Sequence, residues 1–140
     1  MKNYTEYIIL EKLSELLKDM LSMTQISCNF YYIPNNLKKG NMLYKGISEK
    51  VDYADNIFKV FLKEGLSKSN LLLILCHEFI HIKQYLDGRL RLDGTKAIWE
   101  DKEYDMLDID YMDRPWETEA FRMQGKLYKK VKRKMKDEGT

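Results

Sequence analysis

Apolar residues at Tyr4, Ile8, Ile9, Leu13, Leu16, Leu17, Met20 and Leu21 recur every three to four positions, the stripe of an amphipathic helix with one face toward a core. The period then changes. "ISCNFYYIP" gathers β-branched and aromatic residues ahead of Pro34 and the turn-rich "PNNLKKGN", which predicts a strand followed by a loop. "MLYKGI" predicts a shorter strand ending at Gly46. In "NIFKVFLK", Phe58, Val60 and Leu62 alternate with Lys59, Phe61 and Lys63, the two-residue period of a half-buried strand. Its outward lysines suit a sheet edge, where charge opposes pairing with other chains.

"EGLSKSNLLLILCHEFIHIKQYLDG" opens with serines that can cap a helix and closes on Gly88. Serine at the start and glycine just past the end place a second helix over about residues 68 to 87. Residues 89–113 form a long connection with a short helix predicted around Ala97 to Tyr104, and connections of that length inside a compact domain are often functional. A third helix runs from Pro115 to about Lys136, with proline at its first position and Glu117 and Glu119 in its first turn, where carboxylates complement the helix dipole.

The chain has 140 residues, 44% of them hydrophobic and 33% charged. That is a soluble globular composition at single-domain length, so one domain is expected over residues 1–140. The net charge of +2 is too small by itself to imply a nucleic-acid partner. Cys28 and Cys76 form no C-x-x-C pair, which points to buried free thiols and not to a disulfide framework or a thiolate metal site. The N-terminal stretch lacks the uninterrupted apolar core of a signal peptide, and nothing approaches a membrane span, so a cytoplasmic protein with no membrane partner is expected.

The two histidines of the chain, His77 and His81, sit four positions apart in "HEFIH" on the second helix. Residues i and i+4 lie nearly above one another on a helix, so both rings can reach a single ion. Zn²⁺ suits this arrangement, since a catalytic zinc site takes three protein ligands and leaves one position for water. Glu78 is turned about 100° from His77, off the ligand face but beside that water, which makes it the candidate general base. The competing interpretation is an ordinary core helix with two hydrogen-bonded histidines. Burying this polar cluster in "LLLILCHEFIHI" costs free energy unless its groups are satisfied, and a metal satisfies them together. A metzincin ending would need glycine at 84 and a ligand at 87; those positions hold Gln84 and Asp87. The remaining carboxylates within reach of a second helix are Glu117 and Glu119, about 200° apart around that helix, so both cannot face one ion.

HExxH followed by a helix carrying Glu-x-x-Ala, here "RPWETEA", resembles the gluzincin metallopeptidases, in particular their small phage-associated and minimal members. The resemblance spans roughly residues 56 to 125. It implies an α+β, zincin-like fold with an N-terminal helix, a small mixed β-sheet, the HExxH helix and a C-terminal glutamate helix. It implies Glu117 as third ligand, with Glu119 as the alternative, and Ala120 as the small residue that lets the two helices approach. It further implies hydrolysis of a protein or peptide that adds as a strand beside an edge strand, a role "NIFKVFLK" would fill.

Peptide hydrolysis also needs a donor for the oxyanion. Tyr104, Tyr111 and Arg114 are candidates by position, Tyr111 first. "WEDKEYDMLDIDYMD" carries seven acids, and its "DIDYMD" lacks the glycine and terminal glutamate of a calcium loop, so a solvated loop or lid is expected. "RMQGKLYKKVKRKMK" has eight basic residues and no acid. A solvated helix end accounts for it, while contact with nucleic acid or an acidic partner would make the protein a zinc-stabilised binding module without turnover.

Overall fold

The computed structural model describes residues 4–23, 25–33, 46–51 and 53–137. Among the described residues the fold is α+β, with three helices and two three-stranded sheets. In chain order these are α1 (Tyr4–Met20), β1 (Ser27–Ile33), β2 (Gly46–Lys50), β3 (Ile57–Lys63), α2 (Lys68–Leu86), β4 (Leu90–Asp93), β5 (Lys96–Trp99), β6 (Lys102–Asp105) and α3 (Pro115–Asp137), with a single 3₁₀ turn at Tyr111–Asp113. The expected "PNNLKKGN" loop and most of the "MLYKGI" strand lie outside the described residues. Gly46 and Ile47 open β2, which continues four residues past the expected end.

The first sheet is mixed, in the order β1-β3-β2. β1 runs parallel to β3 with Ser27 opposite Ile57, and β2 runs antiparallel with Gly46 opposite Leu62. β3 is therefore the central strand, not the edge that its lysines suggested. Lys59 projects from the sheet face turned away from the helices, opposite Glu49 of β2, so the alternating charge describes a face and says nothing about an edge. The other face buries Phe58, Val60 and Leu62 against Leu71, Leu75, Cys76, Phe79 and Ile82 of α2, and the same core takes in Leu10, Leu13 and Leu17 of α1 and Ala120, Leu127 and Val131 of α3.

Where a short helix was expected near Ala97 to Tyr104, the chain forms β5 and β6 of an antiparallel β4-β5-β6 meander. The turn between them places Glu100 at φ 49° and Asp101 at φ 71°, the two positive angles of a tight hairpin turn usually built from Asn-Gly. Glu100 is held there by Arg89, whose carbonyl accepts from its backbone N–H at 2.8 Å and whose guanidinium grips its carboxylate at 2.9 Å. This sheet packs Leu90, Ala97 and Trp99 against Trp116 in a second apolar cluster. None of the described helices is long and apolar enough to cross a membrane.

Candidate metal centre

α2 is fixed at both ends. The Ser67 hydroxyl accepts from the Asn70 N–H at 3.2 Å. At the other end Gly88, at φ 75°, donates to the Tyr85 carbonyl while the Arg89 N–H reaches back to the Gln84 carbonyl, a Schellman closure that needs the glycine. Between them the helix is buried almost all round, His77, Glu78, His81 and Gln84 included. α3 packs across it, and Ala120, fully buried, contributes almost no side chain at the crossing.

This crossing brings His77, His81 and Glu117 together, each buried, as a group that could hold a metal ion. Glu117 Oε1 lies 3.0 Å from His77 Nε2 and 2.9 Å from His81 Nε2, and the two nitrogens are 3.1 Å apart. A tetrahedral ion with bonds of about 2.0–2.1 Å spaces its ligands about 3.3 Å apart, so the triangle is close to the size that zinc requires.

Hydrogen atoms sharpen the point. The Gln84 amide donates from Nε2 to the Trp116 carbonyl at 3.1 Å and to Glu119 Oε1 at 3.0 Å. Its oxygen is thereby turned to His81, whose Nδ1–H donates to it at 2.8 Å. A neutral His81 then carries no hydrogen on Nε2, and a lone pair faces the carboxylate. His77 is held in the same way by Gln124 Oε1, 2.6 Å from Nδ1. Three electron pairs converging at about 3 Å repel one another unless a cation, a proton or a metal, sits among them.

Burial opposes charging of His81, but the hydrogen bond and charge of Glu117 outweigh it, and its pKa is raised. Burial likewise favours the neutral form of Glu117, yet bonds from His77 and His81 lower its pKa to about 2.

Glu78 occupies a different environment. Its pKa is raised, first because burial penalises the carboxylate, with His81, His77 and a hydrogen bond from Ser48 opposing. β2 crosses this part of α2 so closely that a Cβ on Gly46 would fall 2.6 Å from Ile74 Cγ2 and 3.2 Å from Glu78 Oε2. Glu78, His81 and Glu117 open into a cavity of about 190 Å³, walled by residues 46–49 of β2 and by Tyr85, Tyr111 and Arg114.

No protein-family model, curated protein or solved structure matches this chain.

Of the other carboxylates, Glu119 turns away from the cluster to Arg89, which grips it at 2.9 and 2.6 Å. Asp87 caps α2 and pairs with Lys83 at 3.4 Å. Tyr104 packs edge-on against Trp116, 5.7 Å between ring centres. The Tyr111 hydroxyl donates to Glu117 Oε1 at 2.9 Å. Asp108, Asp110 and Asp113 are exposed, and among the described residues they join no metal-binding group. Both cysteines are free, Cys76 buried and Cys28 half-buried, and burial raises each thiol to about 12. Gln84 and Gln124 were missed from sequence as parts of the site. Each carried the same signal, Gln84 lying seven residues after His77 on one face of α2 and Gln124 seven residues after Glu117 on one face of α3.

Proposed function

We propose that the protein is a zinc-dependent metallopeptidase of gluzincin type, in which His77, His81 and Glu117 hold the metal and Glu78 moves the proton. The observation that carries this reading is the buried triangle of two imidazole nitrogens and a carboxylate oxygen, 2.9 to 3.1 Å on a side, with the buried carboxyl group of Glu78 beside it. Two imidazoles and one carboxylate form the donor set of a catalytic zinc, and the ion would acidify a bound water and polarise a substrate carbonyl. Glu78, whose proton affinity is raised by burial, takes the proton from the attacking water and returns it to the leaving amine. Tyr111 lines the same cavity, and its hydroxyl, on turning from Glu117, is the donor for the negative charge that develops on the carbonyl oxygen. An extended peptide pairs with β2, which stands at the end of its sheet among the described residues and whose residues 46–49 wall the cavity. This moves the docking edge from β3, which is internal, to β2.

Glu78→Gln separates the chemistry from the metal. The variant is expected to retain zinc at one ion per chain while hydrolysis of an unstructured protein such as casein falls by about 100- to 10,000-fold. Undiminished hydrolysis by Glu78→Gln would contradict the mechanism.

One observation favours a second reading, a zinc-stabilised binding module. The basic residues of α3 from Arg122 to Lys136 are all exposed, an electrostatic surface for nucleic acid or an acidic protein. DNA binding that weakens steeply with salt and survives Glu78→Gln, with no hydrolysis by the wild type, would select it.

A further inference from the structure

Arg114 is the sole lysine or arginine among the residues that wall the cavity over the cluster. Its backbone is built into place: the carbonyl accepts from the Glu117 and Thr118 N–H groups at 2.9 and 3.0 Å and so caps α3. Its side chain is held too, one Nη donating to the Met106 carbonyl at 3.2 Å and the guanidinium lying 5.6 Å from the ring centre of Tyr111. Its charge, however, has no carboxylate partner among the described residues, and its Nε–H is shut off from water without an acceptor. Arg89 shows what the same chain does with an arginine whose role is structural, since two carboxylates, Glu119 and Glu100, neutralise it. A permanently charged, half-buried guanidinium with donors to spare is a ready-made carboxylate receptor, because its planar fork matches the two oxygens.

We propose that Arg114 is a specificity-determining residue that binds a carboxylate of the substrate, so that the cavity selects peptides carrying an acidic side chain or a free C-terminus next to the bond presented to Glu78. This deepens the peptidase reading and rests on it for the words "substrate" and "bond", but recognition of the carboxylate is separable from turnover.

The test uses matched peptides with the zinc-loaded protein. One set differs only by Glu or Gln at successive positions; the other differs only by a free or amidated C-terminus, so the two sources of carboxylate are told apart. Binding is read calorimetrically on Glu78→Gln and turnover on the otherwise wild-type chain, each with Arg114 intact, as Arg114→Gln and as Arg114→Lys. The acidic member of one set should bind about 10- to 100-fold more tightly than its neutral twin, the ratio expected for a charge-assisted hydrogen bond. That preference should vanish in Arg114→Gln and return in part in Arg114→Lys. The lysine variant keeps the assay valid if the glutamine variant folds poorly, and dependence on Arg114 distinguishes the guanidinium from direct attraction to the metal. Equal binding of both twins, or a preference that survives in Arg114→Gln, overturns the proposal. An Arg114-dependent preference without turnover leaves the anchor standing and removes the peptidase.

Discussion

Each candidate ligand in the cluster is held by a residue behind it. Gln84 bonds His81 through its oxygen and Glu119 through its nitrogen, and Arg89 fixes Glu119, so a chain of four side chains ties one imidazole to the far sheet. Partners of this kind typically account for 10- to 100-fold in metal affinity because they fix the ring's tautomer and aim. Gln84→Leu, similar in volume and without the acceptor, is expected to weaken zinc binding by about that factor. The check is competition with a chromophoric chelator, together with loss of the His81 Nδ1–H resonance from the proton NMR spectrum. Titration adds a second residue-scale expectation. Glu117 is lowered to about 2, so in metal-free protein its ionised form stabilises the fold above the ordinary carboxylate value. That stabilisation is lost as pH falls from about 4.5 toward 2, where the folded-state group takes up its proton. Glu117→Gln should therefore flatten the acid limb of a stability-against-pH curve measured by urea unfolding of the apo-protein.

At the scale of elements, the site is a crossing of α2 and α3 closed on a third side by β2. Gly46 lets β2 approach, since any Cβ there meets Ile74 at 2.6 Å. Gly46→Ala is expected to destabilise the protein by about 1–3 kcal/mol, the usual range for forced overpacking, and to displace the strand from Glu78. Urea unfolding measures the first effect, and a fall in turnover larger than the fall in zinc affinity marks the second. The elements also show what a sequence can carry. α2 was legible from cap to cap because Ser67 and Gly88 bracket an apolar run, and α3 because Pro115 opens it. The β5-β6 hairpin was not. Its turn uses Glu100 and Asp101 where Asn-Gly is the recognisable signal, and what holds those residues at positive φ is Arg89, distant in sequence. The central position of β3 was hidden for a similar reason: alternation reports which face is wet, and sheet order depends on which strands come to lie beside it.

For the whole molecule, two apolar clusters meet around one polar one. The larger unites α1, the first sheet, α2 and α3, the smaller joins the second sheet to Trp116, and Tyr85 touches both. His77, His81 and Glu117 were readable in sequence as a pair and a choice of two glutamates. In three dimensions Arg89 and Gln84 hold Glu119, and Glu117 is the one that lies against the histidines. A metal in that position would tie α2 to α3, so binding it would also contribute to folding. Equilibrium zinc titration of the metal-free protein, wild type beside Glu117→Gln, tests the centre most directly. One zinc per chain in the wild type, with affinity at least about 100-fold weaker in the variant, is the predicted result. Failure of the wild type to bind zinc, or a Glu117→Gln variant that binds it as tightly, would contradict the account.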